Sequence, residues 1–224
     1  MAGAWSNWAG NQRASAVVLR PRGTEDVVEE IRAAAAAGRR VKATGSGHSF
    51  TDIAVATGVR LDLSELAGAV RVDRAARTVT VGAGMPLHVL NELLAAHGLA
   101  LPNLGDIDAQ TVAGAISTGT HGTGAGHGCL STFVTGLTLV SGEGKVITCD
   151  ATSRSDIFAA ARVGLGALGV LTEVTLACVD AFTLRADERP VRLAEVLAAL
   201  PEHIAANDHV EFYWFPYTDR VLGR

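Results

Sequence analysis

The sequence predicts an α+β fold: one domain over residues 12–182, then the incomplete start of a second α+β domain over residues 183–224. Three observations carry this. Over residues 16–43 an apolar run, an amphipathic helical stretch and a second apolar run make a βαβ unit. Short alternating runs separated by turn residues then continue to about residue 182. Near residue 185 the chain turns charged and then aromatic, which marks a second unit.

The first strand is expected over residues 16–21, an apolar run ended by Pro21. Thr24 is the expected helix cap, and Glu25 and Asp26 suit the positive end of the helix dipole. Val27, Val28, Ile31 and Ala35 share one helical face, and Gly38 ends the helix. A second strand over residues 40–43 delivers the chain into a glycine turn. Extended segments follow at 59–63, 69–73 and 78–81. Pro86 opens a helix with Leu87, Leu90, Leu93 and Leu94 inward, closed by His97 and Gly98. Residues 101–128 are rich in Gly, Thr and Ser, with a short helix expected from Thr111. Runs at 133–140 and 146–149 flank Ser141-Gly142-Glu143-Gly144-Lys145, a hairpin signal. A helix at 156–161 leads into 164–169, and residues 170–179 alternate as a strand. Beyond the charged residues 185–190, a helix is expected over 191–200 and an aromatic strand over 209–215, with no partner strand.

Composition narrows the function. Of the 224 residues 48% are hydrophobic and 19% charged, and the net charge is −4, which gives no bias toward polyanions and makes nucleic acid an unexpected partner. Three cysteines, Cys129, Cys149 and Cys178, show no CxxC spacing and suit reduced thiols in a cytoplasm. The first residues lack the basic region and apolar core of a signal peptide. The small-residue run 33–37 is too short to span a bilayer, so there is no strong membrane signal.

The motif Thr44-Gly45-Ser46-Gly47-His48-Ser49-Phe50 puts one histidine in a turn between glycines, directly after a strand. Gly45 and Gly47 let the backbone take positive φ and lie flat against a ligand. Consecutive N–H groups in such a turn suit a pyrophosphate. Taken locally, the same residues also suit an ordinary turn with a surface histidine. A second segment, residues 114–124, brings small residues and hydroxyls together with no carboxylate or lysine, which favours binding over a plain loop. Residues 164–169 match G-x-G-x-x-G, but a helix precedes them and a strand follows, the reverse of a dinucleotide fingerprint. His121 and His127 have no third ligand at metal spacing, so no metal is expected.

Gly45-Ser46-Gly47-His48-Ser49, residues 114–124 and Gly169-Val170-Leu171-Thr172-Glu173-Val174-Thr175 together resemble the vanillyl-alcohol-oxidase-type FAD-binding fold, with its two subdomains. Within it the likeness is to the sugar-1,4-lactone and alditol oxidoreductases. Asn7-Trp8-Ala9-Gly10-Asn11, residues 103–108 and residues 209–216 are similar to the same branch. The resemblance implies FAD as cofactor. Thr44, Gly45, Ser46, Gly47, His48 and Ser49 would then meet the FAD pyrophosphate. Gly105, Gly114, Ser117, Thr118, Gly119, His121 and Gly122 would line the flavin and its phosphates, and Gly169 and Val170 would contact the cofactor through backbone. In many relatives the matching histidine is bonded to the flavin 8α-methyl, a role only His48 could fill.

The resemblance further implies an FAD-dependent oxidoreductase that passes hydride from a hydroxyl-bearing carbon of L-gulono- or D-arabinono-1,4-lactone to flavin N5. Oxygen or another acceptor would reoxidise it. The alternatives are an alditol or xylitol oxidase, a flavin-binding fragment inactive without its C-terminal half, and a nicotinamide-using reductase on the same fold, against which His48 argues. Family members are roughly twice as long, so the catalytic residues are expected beyond Arg224. Asp106 is the one candidate near the flavin face, and Gly105 holds a position that would govern oxygen access.

Overall fold

The computed structural model describes residues 2–223. Four strands, β1 (Ala2–Ser6), β2 (Arg13–Leu19), β3 (Val41–Thr44) and β4 (Val59–Asp62), form a first sheet in the order β1-β2-β4-β3. β2 and β3 each run parallel to β4, and β1 runs antiparallel to β2 with Trp5 opposite Ala14. The βαβ unit is therefore split. Helix α1 (Thr24–Ala36) carries the chain from β2 to β3, and β4 later enters between them.

Two local expectations for α1 are corrected. Gly23, not Thr24, is the N-cap, and the Thr24 hydroxyl donates across to Thr172 Oγ1 at 3.0 Å. The buried row is Val27, Val28, Ile31 and Ala34, while Ala35 lies a fraction of a turn further round on the exposed side.

Next come β5 (Ala69–Asp73), β6 (Thr78–Gly82), α2 (Leu87–Ala96), β7 (Leu99–Ala100) and α3 (Val112–Ser117). They are followed by β8 (Val134–Val140), β9 (Val146–Asp150), α4 (Ser155–Ala161), β10 (Val170–Ala177) and β11 (Val179–Asp180). An antiparallel second sheet has the order β5-β6-β10-β8-β9, with β10 at its centre. The β8–β9 hairpin pairs Val140 with Val146 across the expected turn. α1 packs on β8 and β10, and α3 on β10. One core joins these layers: Leu61, Val79, Val81, Leu90, Leu94 and Val174 within it are buried completely. The short β7–β11 pair is tied to the β5–β6 turn by Arg74 and Arg77, which bridge Asp180 at 2.7 and 2.9 Å.

After residue 188 the structure corrects the sequence reading. β12 (Arg189–Arg192), β13 (Phe212–Trp214) and β14 (Arg220–Gly223) form an antiparallel sheet in the order β12-β14-β13, so the aromatic strand is paired. Helix α5 (Leu193–Ala206) starts later than expected, because Val191 and Arg192 are ladder residues opposite Val221 and Arg220. It also runs on past Pro201, which lies inside it. Among the described residues no helix is long and apolar enough to cross a membrane.

Candidate functional site

β3 ends at Thr44, a buried residue whose hydroxyl donates to the Ala54 carbonyl at 3.3 Å. At Gly45 a β-carbon would stand 2.5 Å from Thr111 Oγ1, the atom that caps α3 by accepting from the Gly114 amide at 3.2 Å. Glycine at 45 thus lets the turn lie directly against the start of α3. The Ser46 hydroxyl donates to the Ala109 carbonyl and ties the two segments together. Gly47 has φ +72°, which a side chain would strain, and the Trp5 ring lies 3.1 Å from where its β-carbon would be.

The amides of Ser46, Gly47, His48 and Ser49 donate to no acceptor among the described residues. The carbonyls of Gly47 and Ser49 are held from behind: Trp8 N donates to Gly47 O at 2.8 Å, and Asn7 Nδ2 donates to Ser49 O at 3.0 Å. A turn with its carbonyls anchored and its amides free is an anion cradle.

That turn lines a cavity of about 390 Å³, within the range of small-molecule sites. Eleven of the expected residues share its wall: Thr44, Gly45, Ser46, Gly47, His48 and Ser49 from the turn, Gly114, Ser117 and Thr118 from α3 and its end, and Gly169 and Val170 at the start of β10. The G-x-G-x-x-G run lines the same cavity, as a helix-to-strand connection in which Leu165 has φ +50°. Arg39 and Lys42 are the charged residues on the wall, and no carboxylate shares it among the described residues. Lys42 Nζ donates to the Leu165 carbonyl at 3.0 Å.

Gly105, Asp106, Gly119, His121 and Gly122 lie outside that wall. A β-carbon on Gly105 would stand 3.0 Å from the His121 carbonyl, and one on Gly122 2.5 Å from Asn103 Oδ1, so Gly105, His121 and Gly122 form a tight patch with Asn103. His121 Nδ1 donates to the Gly122 carbonyl at 2.8 Å. The Asp106 carboxylate accepts from the Tyr213 hydroxyl at 3.2 Å, and His209 Nδ1 lies 3.2 Å from the Thr123 carbonyl, so the segment around β13 reaches this patch.

Gln110 joins patch and cavity and carried no signal in the sequence. Its Nε2 donates to Thr120 Oγ1 at 3.1 Å, while Oε1 is buried with no partner. It also lines the cavity. A buried acceptor without a donor is costly unless a ligand supplies one. Free amides, two cations without a carboxylate, and this orphan acceptor all fit a large phosphate-bearing cofactor.

A family model described as FAD binding domain matches residues 15–150, more than half of the chain. The chain belongs to the FAD-binding domain family. Its cofactor is FAD. A second model, D-arabinono-1,4-lactone oxidase, matches residues 174–224 of this FAD-binding chain. The chain is 44% identical to the L-gulono-1,4-lactone dehydrogenase of Mycobacterium tuberculosis, over 98% of its own length and 51% of the relative. It is 40% identical to the L-gulonolactone oxidase of Mus musculus, over 97% and 50%. It is 31% identical to the D-arabinono-1,4-lactone oxidase of Kluyveromyces lactis, over 97% and 42%. The chain thus spans about half the length of the curated relatives it matches. Cholesterol oxidase from B. sterolicum has the same fold, with a TM-score of 0.83 at 21% identity, covering 100% of this chain and 47% of that one.

Proposed function

We propose that this chain is the cofactor-holding part of an FAD-dependent oxidoreductase that oxidises a hydroxyl-bearing carbon of a sugar-1,4-lactone, of the L-gulono or D-arabinono type. The observation that carries the reading is the anchored turn with four free amides on a cavity bearing two cations and no carboxylate. The lactone names of the relatives support the substrate class. Residues 12–182 are the FAD-binding domain in this reading, and residues 183–224 open the substrate domain.

The amides of Ser46, Gly47, His48 and Ser49 hold the pyrophosphate, with Arg39 and Lys42 supplying positive charge on the same wall. Gly45 and Gly114 keep that wall free of side chains. Ser117 and Thr118 offer hydroxyls to phosphate or ribose oxygens. Gly169 and Val170 present backbone at the far side. Gly105, Gly119, His121 and Gly122 would border the flavin ring, with Asp106 near its reactive face. Bound FAD supplies the acceptor at N5 for the hydride that the substrate carbon loses.

His48 is the tether. It would hold the flavin through the 8α-methyl carbon, a tie that would cost one methyl C–H and the imidazole N–H and would need dioxygen as the two-electron oxidant. The cytoplasm suits this protein, because its three cysteines are free thiols.

Anaerobic addition of L-gulono-1,4-lactone, D-arabinono-1,4-lactone or xylitol to the flavin-loaded full-length gene product tests the substrate class. Bleaching of the visible flavin band by a lactone and not by xylitol is the expected result. Bleaching by xylitol alone would assign an alditol oxidase instead.

A further inference from the structure

Among the described residues no hydrogen bond holds the His48 ring. His88, His97, His121 and His209 differ, since each has Nδ1 within hydrogen-bond reach of a backbone carbonyl. The ring that meets the His48 imidazole is that of Trp8. The two rings are stacked, with centroids 5.8 Å apart and planes 19° off parallel. Phe50 in turn meets the Trp8 indole edge-on at 6.1 Å and 84°.

The rest of the N-terminal segment serves the same placement. Trp8 N donates to Gly47 O, and the side chain of the buried Asn7 donates to Ser49 O, so the backbone on both sides of His48 is bonded to residues 7 and 8. Asn11 Nδ2 reaches the Phe50 carbonyl at 3.0 Å. Yet Trp8 remains 69% exposed, so burial of its apolar surface does not explain why an indole stands there. An offset stack restricts a ring that has no hydrogen bond of its own, and it leaves both ring nitrogens free.

We propose that Trp8 is the positioning residue of His48: its indole fixes the imidazole plane so that a ring nitrogen faces the flavin edge. The proposal rests on the reading of His48 as the flavin tether. Wild type, Trp8→Ala, Trp8→Phe and His48→Ala protein are precipitated with acid, and flavin fluorescence is measured in pellet and supernatant. The His48 ring protons are also followed by NMR in the flavin-free chain, where the indole ring current displaces them.

In Trp8→Ala the acid-stable fraction falls roughly fivefold, the worth of one aromatic stack, while total bound flavin stays constant. The His48 protons move downfield, and Trp8→Phe restores most of the tether. An unchanged acid-stable fraction in Trp8→Ala overturns the proposal. So does a loss of total flavin in both Trp8 variants, which would mean a merely structural role. Wild type without acid-stable flavin, indistinguishable from His48→Ala, overturns the tether itself and this proposal with it.

Discussion

At position 45 the space for a β-carbon is already occupied by the Thr111 hydroxyl, 2.5 Å away, so any side chain there pushes the turn off the start of α3. Gly45→Val is therefore expected to weaken FAD binding tenfold or more (about 1.4 kcal/mol or above) with only a small change in thermal stability, measured by calorimetric titration. Gln110 makes a subtler prediction. Its buried, partnerless Oε1 fits a donor on the cofactor, so Gln110→Leu should lower FAD affinity by about 1 kcal/mol while leaving the FAD-free chain as stable or more so. Equal affinity in the two proteins would remove Gln110 from the site. The sequence made the glycines and His48 visible because turn chemistry is local. Gln110 and Trp8 were not assigned roles, because an orphan acceptor and a ring stack depend on what long-range folding brings near them.

Elements whose signal is periodic were legible. β10 alternates along its length, the β8–β9 hairpin carries its turn residues, and α2 presents Leu87, Leu90 and Leu94 inward as its spacing requires. Leu90 is fully buried, so Leu90→Ala should cost about 3 kcal/mol in urea unfolding. β1, β12 and the pairing of β13 were not legible, since each owes its strand character to a partner elsewhere in the chain. Thr24 was misread for a related reason: its hydroxyl is claimed by Thr172, 148 residues away.

The β7–β11 corner gives a pH prediction. Hydrogen bonds from Arg77 and Arg74 hold the Asp180 carboxyl below its ordinary 3.8. Because the folded-state value is the lower one, its contribution is complete above the ordinary value and is lost as pH falls through the lowered one. The melting temperature of wild type should thus fall more steeply than that of Asp180→Asn on acidification below about pH 4. Parallel curves would show that this exposed cluster contributes nothing.

At the scale of the whole molecule, the two larger sheets and α1 share one core, and the cavity opens where β3, α3 and the start of β10 converge. None of these segments is a site alone. The α+β class and the grouping of the glycine motifs followed from sequence, whereas the split crossover that aims β3 at α3 required the inserted β4. Binding across these elements couples the cofactor to global stability, so FAD at 100 times its dissociation constant should stabilise the fold by about 2.7 kcal/mol.

The central claim is that the free amides of residues 46–49 hold the FAD pyrophosphate. The most direct measurement is the ³¹P NMR spectrum of FAD titrated into wild-type protein and into Gly45→Val. The two pyrophosphate resonances should shift and broaden on wild type, while the variant should need at least tenfold more protein to displace them equally. Identical displaced resonances on both proteins, or none on wild type, would contradict it.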